Sequence, residues 1–271
     1  MTPAELASWQ QWVGGTEQRT ESVHGPDVAR LAAAIGWDSE TLGWPPLGHW
    51  ALFRPMPGPL GADGHPARGG FMPPISLPRR MFAGAETQFH APLLVDVPAT
   101  QTRRLAALEA KHGKSGPLLL AQVEISIAQD GVLALSETQT IVYLGVYRGA
   151  GAPEPLPVPQ PPALDPAASF TPGPVDLFLY SAATGNSHRI HYDADYARDV
   201  EAWPALLVHG PLVAAQLLGL WERRRGPARQ FAFRSLAPLF AGQPIHLMDD
   251  GNGGLQALRC DGTVAMIATA G

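Results

Sequence analysis

Ser181-Ala-Ala-Thr-Gly-Asn-Ser-His-Arg-Ile-His-Tyr-Asp193 is the stretch around which the rest of the 271-residue chain is organised. Asn186, His188, Arg189, His191, Tyr192 and Asp193 crowd into its last eight positions. So many polar and titratable groups between two apolar segments point to chemistry, because plain loops are built from turn residues. The apolar run ahead of it, Val175 to Tyr180, predicts a strand, and the residues from Ala194 predict a short helix. Further on, Leu206-Leu-Val-His-Gly-Pro-Leu212 opens an apolar helix that runs to Arg223. The first stretch reads as an acid–base site and the second as an electrophilic site facing it.

Working outward, strands are predicted after the helix at Arg229 to Leu236, Pro244 to Met248, Leu255 to Cys260 and Val264 to Ala268. Upstream, Gly149 to Pro166 carries seven prolines and reads as a semi-rigid extended spacer. Before it come four long alternating runs, Phe82 to His90, Ala99 to Glu109, Leu118 to Ala128 and Val132 to Tyr143, the last two joined by the turn Gln129-Asp-Gly131. The chain opens with helical spacing over Ala4 to Val13, a strand at Thr16 to Val23 and a helix from Asp27 to Ile35. Leu47 to Phe53 predicts a buried helix. Pro55 to Pro78, rich in Gly and Pro, predicts a long loop of the kind that serves as a lid or linker. The order of elements is α+β, and the second half repeats the first. The repeat is marked by Ala91-Pro92-Leu93 after one strand and Ala237-Pro238-Leu239 after another. The expected division is residues 1–148, a linker at 149–166, and residues 167–271.

Composition narrows the field. Apolar residues make up 45% and charged residues 16%, a globular balance, and the net charge of −5 gives no electrostatic case for nucleic acid or an anionic membrane. Arg outnumbers Lys seventeen to two, a coding bias rather than a chemical signal. The single Cys260 excludes an internal disulfide framework and reads as a buried structural thiol. No signal-like opening and no apolar run of membrane-spanning length is present, so cytoplasmic residence is expected.

Thr184-Gly-Asn-Ser-His-Arg-Ile-His191 resembles the hydratase-2 motif of the MaoC-like hotdog enzymes, which reads Gly-Asp-x-Asn-Pro-Ile-His with Asp and His as the catalytic pair. Here Asn186 stands where the Asp would be, and His188-Arg189 replace Asn-Pro. The variant is similar to the branch holding mitochondrial type 2 3-hydroxyacyl-thioester dehydratases and bacterial mesaconyl-C4-CoA and itaconyl-CoA hydratases. Leu77-Pro-Arg-Arg-Met-Phe-Ala-Gly84, Phe89-His-Ala-Pro-Leu93 and Gly113-Lys-Ser-Gly-Pro-Leu118 match the same branch. The resemblance implies a double hotdog, two antiparallel sheets each wrapped around a central helix, with the C-terminal copy catalytic and the N-terminal copy forming the wall of the acyl pocket. It implies a hydratase or dehydratase acting across the 2,3 double bond of an enoyl-CoA thioester, with coenzyme A entering as part of the substrate and no separate cofactor. The small branched dicarboxylic acyl-CoA of the bacterial relatives is the favoured substrate, and the fatty acyl chain of the mitochondrial ones the alternative. Homodimer formation accords with the fold.

Hydration needs a base for the attacking water and a donor for the charge that grows on the thioester oxygen. His191 suits the first and the backbone N–H of Gly210, at the helix start, the second. Asn186 cannot take a proton, so it is expected to orient water or substrate. His188, Arg189, Asp193 and His209 are expected to bind or position substrate, as are Arg79 and Arg80, whose guanidiniums suit a phosphate or carboxylate. A metal held by His188, His191, Asp193 and Asp195 is the rival reading; without Cys or a recognised spacing, no metal is expected. A thioesterase or a non-catalytic acyl-CoA binding module on the same fold remain rivals for the function.

Overall fold

The computed structural model describes residues 1–56, 58–113, 116–145, 155–163 and 166–271. Lys114 and Ser115 of one quoted motif, and much of the Pro-rich segment, lie outside the described residues. The helices are α1 (Pro3–Gln10), α2 (Gly25–Ala34), α3 (Ser39–Leu42), α4 (Pro174–Thr184), α5 (Ala194–Asp199) and α6 (Gly210–Arg225). The strands are β1 (Thr16–Ser22), β2 (Arg79–Phe89), β3 (Pro98–Gly113), β4 (Gly116–Gln129), β5 (Val132–Leu144), β6 (Ala168–Phe170), β7 (Gln230–Ser235), β8 (Ile245–Asp249), β9 (Gly254–Leu258) and β10 (Val264–Ala270).

These strands form one antiparallel sheet in the order β1-β3-β4-β5-β2-β7-β10-β9-β8-β6. The five from the first half of the chain and the five from the second meet at a single seam, β2 against β7, with Gly84 opposite Arg234. Gly84 is required there, because a Cβ would collide with the Phe233 carbonyl oxygen. The two Ala-Pro-Leu phrases fall just past β2 and just past β7, the paired strands at the centre of the sheet.

Helix α6 lies across the second half of the sheet. Leu212, Val213, Leu217 and Leu218 are fully buried against Phe231, Ile245, Leu255 and Ala257, the inward residues of β7, β8 and β9. A second core fills the first half, from Leu105, Leu119, Val123, Ile127 and Tyr143 of β3, β4 and β5 to Val28 of α2. Leu31, Ala32 and Ile35, at the C-terminal end of α2, and Leu47 and Ala51 pack into the α6 core. The cores therefore cross the division read from the sequence order.

The expected strand at Val175 to Tyr180 is helix α4. Pro174 at its first position has no N–H to lose, Asp176 caps the Gly173 N–H at 2.7 Å, and Gly185 ends it in the left-handed region at φ 65°. Leu177, Tyr180, Ser181 and Ala183 point inward while Val175, Phe178 and Leu179 stay exposed, a helical stripe that a short apolar run conceals. The buried helix expected at Leu47 to Phe53 shrinks to a single 3-10 turn, Gly48–Ala51. No helix among the described residues is long and apolar enough to cross a membrane.

Candidate active site

Three elements bring the site together. A loop and a 3-10 turn (Arg189–His191) follow α4, α6 begins at Gly210, and the loop at 61–65 folds over the first. His191 is 6% exposed, and its Nδ1 lies 2.8 Å from the Leu207 carbonyl oxygen. A carbonyl only accepts, so Nδ1 carries the proton and Nε2 keeps its lone pair, with the residue lining a cavity of about 650 Å3. Burial pushes the His191 pKa down to about 3, against the opposing pull of the Leu207 hydrogen bond, so the ring is neutral and able to accept a proton.

His209 supports that ring. It is fully buried, caps α6, stacks on His191 at 3.6 Å between centroids, and shares a 2.9 Å hydrogen bond through Nε2 with Ser181 Oγ of α4. Desolvation first, then the neighbouring His191 and His188, hold its pKa well below the ordinary range. Two stacked cations would repel, so the pair does not take up two protons together. His209 does not line the cavity; it positions the residue that does.

At the start of α6, Gly210 lines the cavity, and Pro211 after it has no N–H. With Pro211 lacking an N–H and the Val213 N–H bonded to the His209 carbonyl, the Gly210 N–H is a first-turn donor at the cavity wall, reinforced by the helix dipole. A Cβ on Gly210 would stand 3.2 Å from Ser235 Oγ, a tight contact that the hydroxyl would have to yield to, and 3.8 Å from the Phe82 carbonyl oxygen, an ordinary one. Asn186 also lines the cavity. Its Oδ1 accepts the His188 N–H at 3.1 Å, so the amide nitrogen is the free end and Asn186 enters the site as a donor.

His188 lines the cavity with its ring edge-on to His191, and its Nε2 stands 3.5 Å from Glu201 Oε1, an ion-pair distance too long for a hydrogen bond. Glu201 also takes Arg79 Nε at 3.2 Å. Burial works to raise the Glu201 carboxyl, and His188 and Arg79 outweigh it, so it is held ionised below the usual carboxylate range.

Besides His209, the structure moves three more expected substrate-binding residues away from the cavity wall. Arg189 grips Asp193 at 2.7 Å, lies over the Tyr196 ring and reaches the Ala62 carbonyl. Asp193 caps α5 through the Tyr196 N–H. Arg79 is engaged by Glu201 and Trp203. Arg80 does line the cavity.

His65 was not among the expected site residues. The Arg189 N–H donates to the Asp63 carbonyl at 2.9 Å and Ser187 Oγ to the Gly64 carbonyl at 2.5 Å, strapping the loop onto the motif. That contact carries His65 into the cavity, its ring 4.5 Å from that of His188. Only a Gly-rich turn, Asp63-Gly-His65, marks it in the sequence. Burial, then Arg80, then His188 and His191 hold its pKa far below the ordinary histidine value. The expected rival metal cluster does not converge, since Asp195 pairs with Arg198 and Asp193 with Arg189. Asp63, His65 and His188 bring ligand atoms within 4.8 Å of one another, but Arg68 and Arg80 beside them set the local field against a cation.

The profile of the hydroxyacyl-thioester dehydratase type 2 family matches residues 43–241, across both halves of the sheet and the whole site. The chain belongs to this family. Within it, the chain is 42% identical to the mesaconyl-C(4)-CoA hydratase of Chloroflexus aurantiacus over 97% of both chains. It is 26% identical to the mitochondrial hydroxyacyl-thioester dehydratase type 2 of Schizosaccharomyces pombe, over 77% of this chain and 78% of the other. Among solved structures, a Mycobacterium tuberculosis protein with a double hotdog fold superposes with a TM-score of 0.57 at 15% identity, over 95% of each chain. That last likeness concerns the fold alone, and the architecture of this dehydratase-family chain is the double hotdog.

Proposed function

We propose that the protein adds water to, or removes it from, the 2,3 double bond of a small branched dicarboxylic enoyl-CoA of the mesaconyl-C4 kind. The observation that carries the reading is the pairing of a neutral His191, lone pair on Nε2, with the Gly210 N–H on one cavity. His191 takes a proton from water as its oxygen bonds to the β-carbon. The double-bond electrons move towards the thioester carbonyl, and the Gly210 N–H holds the charge that develops on its oxygen. The protonated His191 then returns the proton to the α-carbon, which leaves the ring neutral for the next turnover. The Asn186 amide hydrogen-bonds to the attacking water or to a substrate oxygen.

Two further observations favour the dicarboxylic substrate over a fatty one. The relative at 42% identity carries that activity in its name. The far wall of the cavity is also polar. His49 Nε2 meets Glu137 at 2.9 Å, and Trp50, Thr87 and Gln139 donate to the same carboxylate, while Gln101 and Arg103 line the wall beside it. The half-buried Gln101, Arg103 and Gln139 on that wall keep water that an aliphatic tail would strip without replacing it.

The test follows the loss of enoyl absorbance over a panel of thioesters: crotonyl, decenoyl, mesaconyl-C4 and itaconyl. Turnover of the dicarboxylic members ahead of the others is expected. Free thiol released without loss of the enoyl absorbance would instead identify a thioesterase, and kcat/KM rising steadily with chain length would identify a fatty-acyl enzyme.

A further inference from the structure

Five guanidiniums line the cavity, and four of them are engaged. Arg19 binds Glu21 and the carbonyls of Phe53 and Arg54; Arg54 pairs with Asp27 at 2.9 Å; Arg68 donates to the carbonyls of Ile75, Leu77 and Pro78; Arg103 holds Glu17 at 2.7 Å. The carboxylates on the wall are engaged as well: Glu17 by Arg103, Glu137 by His49, and Glu201 by Arg79. Arg80 is the exception. It is half-buried and lines the cavity, and no hydrogen bond or ion pair joins it to any of the described residues. The cavity thus holds one positive charge that the protein leaves uncompensated, an arrangement that favours an anionic ligand group.

Its position narrows which anion. Arg80 and Phe82 are two apart on β2 and share a face, and the Phe82 carbonyl lies beside Gly210. Two residues of strand span about 7 Å. Arg80 therefore projects near the reacting end of the acyl group, on the side of His65, whose imidazole feels its charge. A carboxylate on the β-carbon of the acceptor double bond falls within reach of such an arginine when the thioester oxygen sits at Gly210.

We propose that Arg80 binds this β-carbon carboxylate and sets the preference for dicarboxylic over uncharged enoyl thioesters. The inference rests on the hydratase reading above and adds the residue that selects the substrate. The guanidinium fork matches a carboxylate with two parallel hydrogen bonds, which also fixes the plane of the double bond towards His191.

The test compares mesaconyl-C4-CoA with 3-methylcrotonyl-CoA, in which a methyl group replaces the carboxylate, on the wild-type protein and on Arg80→Met and Arg80→Lys. The wild type should prefer the dicarboxylic thioester. Arg80→Met should lower the ratio of the two kcat/KM values about 30-fold or more, chiefly through KM, as loss of a buried charge-assisted contact does. Arg80→Lys should recover part of the ratio, since a point charge remains without the fork. Arg80→Met should melt with the wild type, having lost no internal partner; if it does not fold, the Lys variant and calorimetric binding of methylsuccinyl-CoA carry the comparison. A wild type that prefers 3-methylcrotonyl-CoA would overturn the substrate reading itself. A dicarboxylic preference that survives in Arg80→Met would overturn the role of Arg80 and leave that reading standing. An equal loss on both thioesters that vanishes with pantetheine analogues would show Arg80 reading a coenzyme phosphate, which also overturns the proposal.

Discussion

At the scale of single residues, the chemistry turns on which ring nitrogen of His191 is free and which end of Asn186 faces the cavity. His191→Ala should lower kcat by ~10²–10⁴ with the protein still folded, as loss of a positioned acid–base group does; a folded variant keeping a third of wild-type turnover would remove His191 from the mechanism. The depressed His191 pKa, about 3, has a visible consequence. The base must be neutral, and it remains so far below the ordinary histidine range, so kcat/KM should stay flat as the pH falls from 7 to 5 instead of declining near 6.5. Asn186→Asp tests the amide. The carboxylate would still accept the His188 N–H, but it would present a negative charge where the free amide donates. Activity should collapse, and a variant as active as wild type with an added ionisation in its pH–rate profile would reverse that assignment. These positions were legible in the sequence because they sit within one short motif. Arg79 and Arg80 were not separable there: only the fold decides which one is taken up by Glu201 and Trp203 and which lines the cavity.

At the scale of elements, the loop at 61–65 and helix α4 hold the motif from two sides. The loop's reach over the site was invisible in sequence, since its hydrogen bonds to Ser187 and Arg189 join residues more than a hundred positions apart. Helix α4 reads as a strand in the sequence because its outward face, Val175, Phe178 and Leu179, is as apolar as its inward one; its role as the support of His209 through Ser181 follows only from the helix. The strap makes a prediction for Arg189. Arg189→Ala keeps the backbone bond to Asp63 but loses the grip on Ala62, Asp193 and Tyr196. His65 and His188 should then sit less firmly, and kcat/KM should fall about tenfold, within what a small misplacement near the reacting atoms produces, with little change in melting temperature. Hydrogen exchange supplies the check: unchanged kcat/KM together with unchanged protection of the loop amides at 61–65 would show that the strap does not matter.

At the scale of the whole molecule, two half-sheets joined at one seam enclose a cavity that buries several imidazoles in their neutral form. His65, His191 and His209 all have folded pKa values below 6.5. Above pH 6.5 neither state protonates them and they have no effect on stability. As the pH falls below 6.5 the unfolded chain takes up protons that the folded one refuses, so stability is lost, by about 1.4 kcal/mol per pH unit for each such group until its folded pKa is reached. Glu137 and Glu201 add to this lower down. Their carboxyls are depressed, so the stability they lend is present above about 4.5 and is lost as the pH falls through their folded values. The melting temperature should therefore drop steadily from pH 6.5 downward, more gently in His209→Gln; a melting temperature constant to pH 4.5 would contradict neutral burial. The seam itself has a different consequence. His191, Asn186 and Gly210 lie on the second half of the chain, while Arg80, Gln101, Arg103 and Gln139 lie on the first, and the halves meet at β2 and β7, where Gly84 packs on the Phe233 carbonyl, and in the core that α2 shares with α6. Heredity can therefore alter what such an enzyme accepts without disturbing how it reacts. A gene that recombines between the codons for the two halves must inherit, with its appetite from one parent and its reaction from the other, a shared core that fits both.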